Sequence, residues 1–102
     1  MLHHIVLMEP DGPDGLAQIE AAMPILSSVC QALAGARDFQ HGPNRDFEGK
    51  SALFTYGFTV TFDDRAAHLA YERHPDHIRA GAMLVAACKG GHAGIFVADL
   101  AI

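Results

Sequence analysis

The chain has 102 residues, half of them hydrophobic and none of them tryptophan, with seven Lys and Arg against twelve Asp and Glu. The net charge of −5 with histidine neutral argues against a nucleic-acid partner, whose phosphates attract a basic stripe. No apolar run is long enough to cross a membrane, and Met1 to Ile5 lacks a charged segment leading into an apolar one, so no export signal and a cytoplasmic location are expected.

A chain this short forms one domain, residues 1–102, that buries roughly two-thirds of its unfolded surface. Its high apolar content points to self-association. Leu2 to Met8 alternates as a strand, with His3, Ile5 and Leu7 on one face and His4, Val6 and Met8 on the other. Glu9 to Gly15 is a turn cluster, in which Pro13 suits the first turn of a helix. From about Asp14 to Ala34, Leu16, Ile19, Met23, Leu26, Val29, Cys30 and Leu33 recur at helical spacing. Pro24 removes one backbone donor there and predicts a kink or short break, and Gly35 is a natural stop.

Ala36 to Gly42 reads as a second strand, and Pro43 to Ser51 as a polar loop that is either solvated or a gate to a pocket. Ala52 to Phe62 reads as the third strand, with Phe54, Tyr56, Phe58, Val60 and Phe62 sharing one face. This stripe reads as sheet–helix core, with Phe54 and Tyr56 placed at or just behind a pocket. Asp63-Asp64 predicts a helix N-terminus. The helix over Ala66 to Ala70 ends by Arg73, because the residue before a proline avoids the helical region. Pro75 restarts it, and the second piece continues to Cys88. Gly90-Gly91 ends that piece, and Ala93 to Leu100 is the last strand. Cys30 and Cys88 are expected to be reduced core residues.

The order is β-α-β-β-α-β, an α+β, ferredoxin-like plan with an antiparallel sheet and helices on one face. The other face, with Ile5, Leu7 and the Thr-rich side of the third strand, is apolar or small. A second copy of the same sheet would cover it, giving a homodimer.

The run Tyr71-Glu72-Arg73-His74-Pro75-Asp76-His77 concentrates two imidazoles and a phenol around a proline-forced break. His4 can meet them if the first strand packs against these helices. Two or three acid/base groups would then meet around one pocket, with His74 at or just behind it. The other reading is a hydrogen-bonded clasp: His4 bonded to a helix carbonyl, His74 capping the new helix, and His77 bonded to Tyr71. His3 and His4 point to opposite faces and cannot share an ion. His74 and His77 have a spacing that could, but no third ligand accompanies them, so no metal and no cofactor are expected. His41 and His68 read as surface residues. No phosphate-cradling glycine loop, nucleophile elbow or dinucleotide fingerprint is present.

Four segments carry a family likeness: His4-Ile5-Val6-Leu7, Phe39-Gln40-His41-Gly42-Pro43-Asn44, Tyr56 to Asp64, and Tyr71 with His74-Pro75-Asp76-His77. With them the chain resembles the stress-responsive dimeric α/β-barrel domain over nearly its whole length. The resemblance implies a homodimer whose sheets close into a barrel. A plant branch of that family, olivetolic acid cyclase, closes polyketide chains by aldol-type condensation without a metal or organic cofactor. His4, Tyr71 and His77 stand where that branch has its working residues. The resemblance would make His77 the base, Tyr71 the donor to a developing oxyanion, and His4 an orienting group. Met8-Glu9-Pro10 and Gly90-Gly91-His92 depart from the family pattern. Three readings follow: a binding module for a small apolar or aromatic molecule, a cofactor-independent cyclase-like lyase, and a structural or stress-associated dimer without turnover.

Overall fold

A computed structural model describes all residues, Met1–Ile102. The elements are β1 (Leu2–Met8), α1 (Gly12–Ala32), β2 (Ala36–Pro43), β3 (Tyr56–Phe62), α2 (Arg65–Arg73), α3 (Pro75–Ala87) and β4 (Ile95–Ala101), with a 3-10 turn at Gly91–Gly94 before the last strand. The strands form one antiparallel sheet in the order β2-β3-β1-β4. This is the ferredoxin-like arrangement, with the second helical segment divided into α2 and α3.

The period-two pattern of β1 is realised as drawn from the sequence. His4, Val6 and Met8 are buried beneath the helices, while His3 is exposed and Ile5 and Leu7 are half-buried on the open face. On β3, Tyr56, Phe58, Val60 and Phe62 face the helices and are buried. They meet Ile19, Met23, Leu26 and Val29 of α1 in the core. Burial of each such side chain contributes about 1.5–3 kcal/mol.

α1 does not break at Pro24. The helix continues from Gly12 to Ala32 with Pro24 inside it. Pro24 is exposed, so the carbonyl left without a partner faces water, and Met23 and Leu26 anchor both halves in the core. Leu16, which the periodicity puts on the apolar face, is exposed; Gly15 is buried in its place. A Cβ on Gly15 would lie 2.4 Å from the Ala87 carbonyl oxygen. α1 therefore meets the end of α3 backbone to backbone, and the Asp11 amide donates to that same carbonyl at 2.8 Å.

The third strand starts at Tyr56, later than the alternation from Ala52 predicts. Asn44 is the reason. Its side-chain amide donates to Ser51 Oγ and to the Phe54 carbonyl, and its backbone amide donates to the Thr55 carbonyl. These bonds fold residues 52–55 into a turn where β2 has already ended at Pro43, opposite Tyr56. Asp46 closes the preceding loop by accepting from the Lys50 and Ser51 amides. These amides hold its carboxyl below the usual range.

The break between α2 and α3 follows the sequence. Asp64 caps α2 by accepting from the Ala67 amide at 2.9 Å. His74 is extended, with ψ at 130°, and its Nδ1 accepts from the Asp76 amide at 3.1 Å. A cap of this kind is worth about 1 kcal/mol. Pro75 follows as the first residue of α3, where a missing N–H costs nothing. Cys30 and Cys88 are free thiols and buried. Burial raises both, Cys30 to about 11.

Candidate active site

The antiparallel register of β1 and β4 sets His4 opposite Asp99, Val6 opposite Val97 and Met8 opposite Ile95. All six side chains lie on the helix-facing side. The helices do not close over this edge. α3 presents Gly81, Ala82 and Ala86 toward it, residues too small to fill the gap, and a cleft of about 690 Å³ remains. Its walls are largely apolar, with Val6, Phe58, Leu84, Val85, Ile95 and Val97 among them. The polar residues His4, His68, Tyr71, Glu72, His77, His92 and Asp99 also line it.

His4 is buried, and its Nδ1 stands 2.6 Å from Asp99 Oδ1. A carboxylate only accepts, so Nδ1 donates and Nε2 keeps a lone pair in the neutral ring. The partner is thus a neighbouring strand's carboxylate and not a helix carbonyl. The His4 ring also packs edge-on to Phe62 and Tyr71, with centroids 5.7 and 6.0 Å away.

Tyr71 is fully buried, and its hydroxyl has no hydrogen-bond partner. Burial pushes its pKa up strongly, so it is a proton donor at any physiological pH. The His77 ring lies 4.3 Å from the Tyr71 ring, centroid to centroid. The two are not hydrogen-bonded. His77 Nδ1 instead donates to the Glu72 carbonyl at 3.2 Å across the helix break, leaving Nε2 as an acceptor. Burial lowers the His77 pKa, opposed by the Glu72 carbonyl bond, so the ring is neutral near pH 7.

The break at Pro75 thus brings the end of α2 and the start of α3 to one corner, beside β1. His4, Tyr71 and His77 line one cleft and are not sealed into a solid clasp. His74 does not line it; it caps α3. Phe54 lies outside β3, on the far side of the sheet, with its ring 6.2 Å from Phe96. Tyr56 is buried, but its hydroxyl is paired with His41 Nδ1 at 2.6 Å toward the β2 edge. Neither Phe54 nor Tyr56 lines the cleft, because the aromatic stripe crosses the sheet while the cleft opens at the β4 edge. No residue of the 43–51 loop lines it either.

His68 corrects the reading of the sequence most. It is not a surface residue: 5% of it is exposed, and its ring lies 5.0 Å from His4 and 5.1 Å from Phe62. It shares a face of α2 with Tyr71 three residues on, a signal already present in the sequence. Its Nδ1 accepts from the Arg65 guanidinium, and its Nε2 lies 3.3 Å from Glu72 Oε1. Burial lowers its pKa, and the neighbouring His4 adds to the effect. Asp99 is the other residue the sequence did not single out. Only the β1–β4 register makes it His4's partner.

The family described as Stress responsive A/B Barrel Domain matches residues 2–101. No curated protein matches the chain. Among solved structures, a dimeric ferredoxin-like protein of unknown function from Jannaschia sp. CCS1 is 50% identical, with a TM-score of 0.96 over 99% of this chain and 98% of that one. The At3g17210 protein of Arabidopsis thaliana shares the fold at 18% identity and a TM-score of 0.81, covering 100% and 95% of the two chains. The hydroxynitrile lyase from Passiflora edulis does so at 19% identity and a TM-score of 0.77, covering 99% and 92%.

Proposed function

The chain belongs to the stress responsive A/B barrel domain family, and from that premise we propose that it is a homodimeric binding module for a small apolar or aromatic molecule. The cleft between the sheet and α2–α3 takes the ligand. The Tyr71 hydroxyl carries this reading. It is a fully buried donor without a protein partner, an arrangement that costs about 1–3 kcal/mol unless something else satisfies it. It lines a cleft large enough for a drug-sized molecule. The hydroxyl is sealed from solvent in the free protein, so a ligand oxygen, carbonyl or phenolic, reaches it through a side-chain shift at the cleft wall, while the apolar walls take the hydrocarbon.

The homodimer is supported by the open face of the sheet. Phe96 and Leu100 are half exposed there beside Ile5 and Leu7, and the 50% identical Jannaschia protein is described as dimeric. Mass in solution tests this: a dimer is expected for the wild type and a monomer for Phe96→Asp. A wild-type monomer at micromolar concentration would contradict it.

A second reading, a cofactor-independent lyase or cyclase, is favoured by the His4–Asp99 pair and the free Nε2 of His77. His77 takes a proton from the carbon beside a carbonyl, and Tyr71 donates a hydrogen bond to the enolate oxygen. The carbanion then attacks a second carbonyl within the same molecule, and the proton returns to the new alkoxide. The His4 Nε2 lone pair, fixed by the Nδ1–Asp99 bond, accepts from a hydroxyl or enol of the same substrate and orients it. Ligand-observed NMR with small aromatic ketones and phenols tests binding; Tyr71→Phe should weaken it about tenfold. Product analysis with β-polyketone substrates, wild type against His77→Ala, then separates binder from enzyme. Binding with no turnover leaves the first reading; no binding at all leaves a dimer without a ligand.

A further inference from the structure

The polar end of the cleft holds a constellation that proton chemistry alone does not require. His4, His68 and Asp99 each offer one donor atom, and these atoms lie within 4.8 Å of one another. They come from β1, α2 and β4, so the packing of three elements brings them together, not the flexibility of one loop. Both imidazoles are nearly buried, at 6% and 5% exposure, while the Asp99 side chain is 36% exposed and free to adjust. Two imidazoles and one carboxylate are a donor set that zinc and its first-row neighbours accept.

We propose that His4, His68 and Asp99 form a binding site for a single divalent transition-metal ion of the zinc type, open to the cleft on its remaining positions. The ion replaces the proton that His4 Nδ1 shares with Asp99 across 2.6 Å, and that proton leaves to solvent. Metal–ligand bonds near ~2.1 Å need donor atoms roughly 3–3.5 Å apart, so the His4–Asp99 contact opens from 2.6 Å while the wider separations of the set, up to 4.8 Å, close by about an ångström. His68 gives up one of its two present partners. Both are surface side chains, Arg65 at 62% and Glu72 at 44% exposure. The ion takes the Nδ1 lone pair that Arg65 now occupies, and Nε2–H goes on donating to Glu72, the outer contact that orients the ring. The arrangement also explains a choice of neighbours. Glu72 adds negative charge beside the triad, while Arg65 is the one cation against it.

The inference stands apart from the ligand reading, because ion binding is measured without any organic molecule. Untagged protein, stripped with a chelator, is titrated with Co²⁺ and followed by visible absorption; Zn²⁺ then displaces the Co²⁺. One ion per chain is expected, with the intense absorption of a low-coordinate site. His68→Ala and Asp99→Asn each weaken binding at least about tenfold, in line with loss of a ligand. Arg65→Gln tightens it a few-fold by removing the opposing charge. His3→Ala leaves it unchanged, because His3 faces the other side of β1. If His4→Ala does not fold, His68→Gln, checked by circular dichroism, carries the test on the helix side. Absence of saturable binding overturns the proposal. So does binding that survives His68→Ala and Asp99→Asn, or that is lost in His3→Ala.

Discussion

His4 Nδ1 and Asp99 Oδ1 meet at 2.6 Å on directly opposed positions of β1 and β4. The bond crosses the edge of the sheet where the helices leave it uncovered. It holds the His4 ring against Phe62 and Tyr71 and fixes which nitrogen carries the proton. Replacing Asp99 with Leu leaves a buried imidazole nitrogen unpaired. A loss of about 1–3 kcal/mol is expected, seen as a lower urea midpoint with an unchanged slope. An unchanged midpoint would mean that the pair holds nothing in place.

Tyr71→Phe separates stability from binding. The hydroxyl has no partner inside the protein, so removing it costs no hydrogen bond, and the ring packing with Phe62 and His77 stays. Stability should be unchanged or higher by up to about 1 kcal/mol, the reverse of the usual effect of a core substitution. Ligand affinity should fall about tenfold. A clear loss of stability in thermal unfolding would show that the hydroxyl is paired within the fold.

Gly81 gives a test of the cleft's space. It sits inside α3, lines the cleft, and a Cβ there would meet nothing within 4 Å. Gly81→Ala should stabilise the protein by roughly 0.5–1 kcal/mol through helix propensity. Gly81→Leu should leave the fold intact and weaken ligand binding, because its side chain extends into the volume the ligand needs. Equal affinity in wild type and Gly81→Leu would place the ligand elsewhere.

The lowered pKa of His77, caused chiefly by burial, makes a signed prediction. The unfolded chain, with histidine near ~6.5, binds this proton at a higher pH than the folded chain does. Stability from His77 is therefore complete above about pH 6.5 and is lost as the pH falls toward the folded value. Urea midpoints measured from pH 7.5 to 5 should decline less steeply in His77→Gln than in the wild type. Parallel curves would show that the folded protein holds His77 no differently from water.

The fold was legible because its signals are local. Alternation in β1, the Asp64 cap and Pro75 each act within a few residues, and each appears where the sequence puts it. Errors arose where a distant partner decides. Asn44 pulls residues 52–55 out of the strand, and of the kink or short break expected at Pro24 the break does not occur, because packing on both sides carries α1 through it. In the site, Tyr71 and His77 were legible because they flank the same proline. Asp99 was not, because only the β1–β4 pairing brings it to His4. His68 sat in plain view at helical spacing from Tyr71, and its burial depends on how α2 lies against β1. The cleft itself was invisible, since it arises from what Gly81, Ala82 and Ala86 fail to fill.

The central claim is that the cleft bounded by His4, Tyr71 and His77 receives a small oxygen-bearing apolar molecule. Imidazole NMR of the seven histidines during titration with an aromatic ketone tests it most directly. Saturable shifts of His4, His68, His77 and His92, which line the cleft, are expected, with His3 and His41 unmoved and the response reduced in Tyr71→Phe. Shifts confined to His3, His41 and His74, or none up to millimolar ligand across a panel of ketones and phenols, would contradict it.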